Sequence, residues 1–321
     1  MSRVLIIKLG ALGDVIMATP AIKQIQRHHH ADEIWLLTST PFFNLFKNWE
    51  GLDVVAFPRQ GIFSIPQSVL WIRQHKFDIL YDLQSNDRTS IISALSGIPN
   101  RIGNHPRFPY HCHPPEPYTG QCHSSERINQ VLLSADIEPA PLAPWLPKDK
   151  QGEYVVRSWL DKKGLLNKKL VLLHAGSSIK HPGKRWPYFG ELAKVLEIHS
   201  YAVLWIGGKE DMEINRKLAT QAGLDASNAF DILQLVELGR LASFAVTNDS
   251  APMHILSCSM IPVYGLFGPT NWRRTYALGQ QHRVITPATE ITSQVNVFSP
   301  RPLDSLSIDN VLERLKYDGF I

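Results

Sequence analysis

Short apolar runs alternate with longer stretches whose apolar residues return every three or four positions, and the alternation occurs twice along the chain. In the first half the strand-length runs are 3–8, 33–39 (EIWLLTS), 53–57 (DVVAF) and 77–83 (FDILYDL). Helical spacing fills 14–28, 64–75 and 87–97 between and after them. Strands of this length interleaved with helices predict βαβ units and a parallel sheet covered on both faces. A second series opens at KLVLLHAGSS (169–178) and runs through YAVLWIGG (201–208), FAVTNDS (244–250) and IPVYGLFG (261–268). Helices are expected at 187–199, from about 210, over 252–259, and last at 307–318.

Between the two series lies IEPAPLAPWLPKDK (137–150), rich in proline. Proline fixes its own φ and pushes the preceding residue toward extended conformations, so this segment reads as a stiff linker. The expected organisation is two domains, 1–150 and 151–321, each an α/β doubly wound, Rossmann-like sheet. They are expected to face each other across a cleft, with ligands at the carboxyl ends of the strands.

Composition narrows the class. Of 321 residues 44% are hydrophobic and 19% charged, as in a globular protein, and no apolar run reaches the roughly 18 residues of a membrane span. The N-terminus lacks the pattern of a signal peptide, so a cytoplasmic protein is expected. Three cysteines do not make a disulfide framework. A net charge of +4 permits an anionic substrate or a weak contact with a membrane surface, while no Lys/Arg block is dense enough to point to nucleic acid.

The loop after the first run, KLGALGD (8–14), has Gly10 and Gly13 but not the third glycine of a dinucleotide fingerprint, and it sets Asp14 at the helix start. A carboxylate there repels phosphate. On position alone it reads equally as a helix N-cap or as a general base, ionised at neutral pH and able to take a proton from a hydroxyl. Lys8 stands where it can orient that carboxylate or bind an anion.

Phosphate chemistry appears in the second half. HAGSSIKHPGKRWP (174–187) offers Ser177 and Ser178 with small neighbours, and the cations Lys180, Lys184 and Arg185. TNDSAPMHI (247–255) sets Ser250 and Ala251 at a helix start with Pro252 in its first turn, where free amides favour an anion. Asp249 either caps that helix or anchors Lys184. IGGKED places Glu210 after a strand and glycines, suited to two ribose hydroxyls or simply to an acidic first turn.

No Asp-x-Asp pair is present, so no metal or other cofactor is expected, and fixed cations and helix amides would carry the charge of a departing diphosphate. His111, Cys112, His113, Cys122 and His123 have zinc-binding chemistry but no standard spacing, and the segment reads as a loop over the cleft. The histidines at 28–30 read as favourable charge at a helix C-terminus.

With these residues in view, the chain resembles the ADP-heptose:lipopolysaccharide heptosyltransferases, inverting transferases of the GT-B fold. The likeness runs from KLGALGDVIMATPAI through YDLQSNDRTSIISALSGIPNRIG, HAGSSIKHPGKRWPYFGELA and IGGKEDMEI to TNDSAPMHILSC and LFGPTN. It implies that Asp14 is the catalytic base and that Lys184 assists departure of ADP. It implies diphosphate contacts from Ser177, Ser178 and Lys184, a ribose contact from Glu210, and Asp249 as the acid that opens the second phosphate loop. Arg185, Ser250, Ala251, which stands where the family often has glycine, and His254 are the further donor-site residues expected beside them. Lys8, Arg59, Arg88 and Arg101 would then meet a lipid-linked core-sugar acceptor at the cytoplasmic face of the inner membrane. A GT-B transferase with another nucleotide sugar, a nicotinamide-dependent oxidoreductase and a non-catalytic nucleotide-sugar-binding protein are the competing readings. The broken fingerprint disfavours the oxidoreductase.

Overall fold

The computed structural model describes residues 1–58, 61, 63–104, 108–116, 122–177, 182–287 and 300–321. The chain divides into two compact units, Met1–Pro147 and Lys148–Ile321.

The first unit contains β1 (Arg3–Ile7), α1 (Leu12–His28), β2 (Glu33–Ser39), β3 (Asp53–Phe57), α2 (Ser64–His75), β4 (Ile79–Asp82), α3 (Asp87–Leu95), β5 (Asn100–Gly103) and α4 (Ser124–Leu133). Its five strands are all parallel in the order β3-β2-β1-β4-β5. Central β1 is apolar almost throughout because it is covered on both faces, and Leu5 and Ile7 join Leu37, Leu80, Ile72 and Ile92 in one core cluster. Gly10 turns the chain after β1 at φ +120, and a Cβ there would come within 2.5 Å of the Phe42 ring. His29, just past α1, does more than add charge to a helix end. It is buried, pairs with Asp32 at 3.0 Å and meets the Tyr81 hydroxyl of β4 at 2.9 Å.

The second unit contains α5 (Lys150–Lys162), β6 (Lys169–His174), α6 (Phe189–Ile198), β7 (Tyr201–Trp205), α7 (Met212–Ala219), β8 (Leu224–Asp225), α8 (Ile232–Arg240), β9 (Ala242–Asn248), α9 (Ala251–Ser257), β10 (Val263–Leu266), β11 (Val284–Ile285) and α10 (Ile308–Tyr317). Its six parallel strands run in the order β11-β10-β9-β6-β7-β8, so the second sheet repeats the winding of the first. Two apolar clusters cover its faces, one built on Val171, Leu173 and Trp205, the other on Leu170, Leu172 and Leu204.

The proline-rich segment is fastened through its last residues. The Trp145 N–H donates to Thr19 Oγ1 at 3.0 Å, its ring meets Trp49 edge-on at 4.8 Å, and Lys23 Nζ lies 3.5 Å from the ring centre. Four residues later the Asp149 N–H donates to Glu237 Oε1 of α8 at 2.8 Å.

Candidate functional site

In each sheet the chain order reverses beside the first strand of the unit: β1 lies between β2 and β4, and β6 between β7 and β9. The helices following those strands depart to opposite faces, which opens a crevice at the strand ends where ligands bind in doubly wound folds. Among the described candidates, Lys8 and Asp14 stand just after β1, and Lys184, Asp249 and Ser250 stand on the loops after β6 and β9.

At the β1/β4 crevice, Lys8 leaves the end of β1 and is 2% exposed, its ammonium donating to the Leu83 carbonyl at 3.1 Å. Burial pushes it down to about 8, against the pull of the Asp14 carboxylate; Arg127 adds to the lowering and Asp82 opposes it. Asp14 is not the N-cap. Helix α1 starts at Leu12 with Ala11 in the cap position, and Asp14, in the first turn, accepts the Ala11 N–H on Oδ2 at 3.3 Å. It is half-buried, and among the described residues Oδ1 has no hydrogen-bond partner. The carboxylate therefore adds to the helix start and still has an oxygen to offer a substrate.

Three residues around this crevice escaped the sequence reading. Asp82, wholly buried at the end of β4, accepts the Gln84 and Ser85 amides at 2.9 Å each and the Tyr110 hydroxyl. Burial raises its pKa, and the hydrogen bonds from Thr89, Tyr110, Ser85 and Gln84 pull the other way. Gln84 returns toward β1 and accepts the Leu9 and Gly10 amides. The apolar-strand-then-Gln pattern of YDLQ was visible, but nothing in it fixes the partner of a side chain 74 residues away from Gly10.

Of the expected acceptor contacts, Arg88 is half-buried near the start of α3. Arg101 is committed to its own loop, donating to the Pro109 carbonyl at 2.6 Å and the Ile98 carbonyl and meeting His111 at 3.1 Å. It braces the loop after β5. Arg59 lies outside the described residues. In the 111–123 segment His123 is the N-cap of α4, its Nδ1 accepting the Ser125 N–H at 3.2 Å. Among the described residues no three His, Cys, Asp or Glu side chains are grouped to hold a metal ion.

At the β6/β9 crevice, Lys184 Nζ lies 2.6 Å from Asp249 Oδ2, which also accepts the Thr270 hydroxyl at 2.7 Å. Both partners are mostly buried, so the ammonium is fixed in place. Asn248 ties the loops together: its Nδ2 donates to the Ala175 and Gly176 carbonyls at 2.9 and 3.0 Å, and its Oδ1 accepts the Trp186 N–H at 3.1 Å. The Arg185 Nε is enclosed without a hydrogen-bond partner among the described residues. Ser250 is the N-cap of α9, Ala251 its first residue, and His254 is buried within it. Ser177 is buried at the loop start, while Ser178 and Lys180 lie outside the described residues.

Glu210 stands exposed on the turn after β7, and its neighbour Asp211 turns inward. Asp211 accepts the Gly208 N–H at 3.0 Å and pairs with His174 at 3.4 Å. Gly176 is bare for this carboxylate's sake as much as for any ligand, since a Cβ there would fall 1.8 Å from Asp211 Oδ1.

Comparison with known proteins bears on the family and the fold. The family model of glycosyltransferase family 9 (heptosyltransferase) matches residues 70–298. Lipooligosaccharide heptosyltransferase 2 of Haemophilus influenzae is 25% identical over 165 residues, 48% of this chain and 47% of that protein, so the matched stretch spans about half of the relative's length. The crystal structure of a family 9 glycosyl transferase from Veillonella parvula superimposes with a TM-score of 0.83 at 20% identity, covering 98% of this chain and 96% of the other. The structure of E. coli ADP-heptose lps heptosyltransferase II gives 0.76 at 19% identity and covers 98% of each chain. These likenesses identify the two parallel sheets as a GT-B fold.

Proposed function

The chain belongs to glycosyltransferase family 9, the heptosyltransferases, and on that premise we propose that it moves heptose from ADP-heptose to a sugar hydroxyl of the lipopolysaccharide inner core, with inversion. The observation that carries the reading is the division of charge between the two crevices. The first presents the partly exposed Asp14 carboxylate beside a buried lysine. The second presents Lys184, held on Asp249, together with the enclosed Arg185 Nε.

The chemistry follows from those placements. Asp14 Oδ1 takes the proton of the acceptor hydroxyl as its oxygen attacks the anomeric carbon. The bond between that carbon and the diphosphate oxygen breaks in the same displacement, so the anomeric centre inverts and the electron pair leaves on ADP. Charge growing on the diphosphate meets Lys184, Arg185 and the Ser250 and Ala251 amides, contacts that strengthen toward the transition state. Pairing with Asp249 keeps the Lys184 ammonium from following its solvent shell, which is the value of a preorganised cation. Ser177, Ser178 and His254 complete the donor side and Glu210 meets the ribose. Lys8, Arg59 and Arg88 serve a phosphorylated or carboxylated acceptor that is linked to lipid, which would bring the enzyme to the cytoplasmic face of the inner membrane. Arg101 holds the loop beside them.

Donor screening tests the proposal. ADP-, GDP-, UDP- and dTDP-sugars are added in turn and the melting temperature recorded. Stabilisation by the ADP-sugars, together with heptose transfer to a core-sugar acceptor, is the expected result. Stabilisation by another nucleotide alone would overturn the donor assignment, and tight binding of ADP-heptose without transfer to any core sugar would make the protein a binder.

A further inference from the structure

His174, at the last position of β6, connects a buried carboxylate to a partly exposed hydroxyl at the β6/β9 crevice. Its Nε2 lies 3.4 Å from Asp211 Oδ2 and its Nδ1 3.0 Å from Ser250 Oγ. Imidazole and carboxylate side chains are 3% and 5% exposed, so neither is merely solvated. The loops are shaped around this pair. A Cβ at Gly176 would strike Asp211 Oδ1, and one at Gly207 would lie 2.5 Å from Oδ2, so both glycines make room for the carboxylate. We propose that Asp211, His174 and Ser250 form a carboxylate–imidazole–hydroxyl chain that takes up one proton when a nucleoside diphosphate binds and so turns the Ser250 hydroxyl toward it. The inference rests on the reading of this crevice as the diphosphate site.

The argument is one of donors and acceptors. Asp211 accepts, so it fixes a proton on Nε2 and leaves Nδ1 with a lone pair. In that state Ser250 gives its proton to Nδ1, and a ligand oxygen facing Ser250 meets lone pairs. Protonation of Nδ1 reverses the bond: the ring donates to Oγ and the hydroxyl proton is freed. The Asn248 carbonyl, 3.1 Å from Oγ, receives that proton when the crevice is empty, and a diphosphate oxygen replaces it when the crevice is filled. Asp211 lies behind the ring, and the anionic ligand would lie in front of it, beyond Ser250. Burial alone would raise Asp211, but the His174 hydrogen bond and charge, the Gly208 amide and Arg185 outweigh it, and the carboxyl lies below its ordinary value. It is therefore a carboxylate at neutral pH. Arg185, from the loop after β6, acts on the Asp211 carboxylate, and the Lys184–Asp249 ion pair joins that loop to the loop after β9.

Asp211 and His174 are positioning residues here, acting on the ligand through Ser250. By linkage, a ligand that binds with proton uptake binds more weakly as pH rises. The test is calorimetric titration of the full chain with ADP-ribose, whose esterified diphosphate does not itself titrate near neutrality. Titrations run from pH 6.5 to 8.5 in two buffers of different ionisation enthalpy. The expected result is uptake of up to one proton per ligand within this range, absent in His174→Gln. Asp211→Asn should bind about 10-fold more weakly at the low end and show a flattened pH profile, the loss of one charge-assisted hydrogen bond. Binding by the wild type with no uptake at any pH, or equal uptake in His174→Gln, overturns the inference and leaves the donor site standing. If ADP-ribose fails to bind at all, the donor-site reading falls and this inference with it. Should His174→Gln not fold, the wild-type proton count still decides.

Discussion

The side-chain carbonyl of Gln84 accepts the Gly10 amide at 3.1 Å, and it accepts the Leu9 amide at the same distance. One oxygen from the end of β4 thus satisfies two successive amides of the loop that leads into α1, and so sets where Asp14 stands. Gln84→Leu strands both buried donors and should cost about 2 kcal/mol. It should also lower turnover by at least 10-fold with donor affinity intact. Gln84→Glu retains an acceptor oxygen and should recover most of the rate. Chemical denaturation and steady-state kinetics on the two variants check this; equal rates for Leu and Glu would mean that the clamp does not matter to the chemistry.

Lys8 is held at a cost. With its ammonium lowered from 10.5 to about 8, the unfolded chain binds more protons than the folded one throughout that interval. Stability is therefore penalised in full below about pH 8, by on the order of 3 kcal/mol, and the penalty disappears as pH rises toward 10.5. Lys8→Met should raise the melting temperature at pH 7, lose that advantage near pH 10, and transfer more slowly at every pH. A variant as active as the wild type would remove Lys8 from the site.

Much of this architecture was legible in the chain and some was not. The apolar runs that became β1, β2, β4, β6, β7 and β9 sit in the covered interior of their sheets, where a strand must be apolar on both faces. The strands that went unread are β5, β8 and β11, which lie at sheet edges and are only two to four residues long. NRIG in β5 has a single apolar side chain and leaves no pattern to detect. Helices α4, α5 and α8 carry helical spacing of their buried apolar residues in the sequence as well. At the candidate sites, spacing pointed to Lys184 and Asp249, which the structure pairs, because each sits in a loop that follows a strand. It picked Glu210 and passed over Asp211, because which of two adjacent carboxylates turns inward depends on the bare Cα positions of Gly176 and Gly207. Gln84 and Tyr110 act through contacts across the sheet, and no local pattern encodes those.

Lys184→Ala should weaken ADP binding and slow transfer together, since in the proposed reaction the cation meets a diphosphate whose charge grows as it leaves. It also leaves Asp249, 10% exposed at its side chain, facing the same ligand without its counter-charge. Lys184→Arg should recover part of the affinity and less of the rate, because a planar guanidinium does not reproduce the 2.6 Å approach of the ammonium. Calorimetry with ADP and initial rates with the ADP-sugar separate the two effects, and an unchanged dissociation constant would place the nucleotide elsewhere.

Glu210→Gln is expected to leave the melting temperature unchanged, because the side chain is exposed. Loss of a carboxylate accepting from ribose hydroxyls should weaken ADP by about 10-fold. The same substitution should matter little for 2′,3′-dideoxy-ADP. An equal loss for both nucleotides would deny Glu210 a ribose contact.

The most direct test of the account is the Asp14→Asn variant, assayed for heptose transfer from ADP-heptose alongside its melting temperature and its dissociation constant for ADP. Asparagine keeps the side chain's size and the oxygen that accepts the Ala11 amide, but it does not take up a proton. The account predicts a fall in turnover of about 10²–10⁴-fold. Melting temperature and ADP affinity should stay near those of the wild type, because the proposed nucleotide site belongs to the other unit. Turnover unchanged, with a lowered melting temperature, would contradict it: Asp14 would then serve the start of α1 and not the reaction.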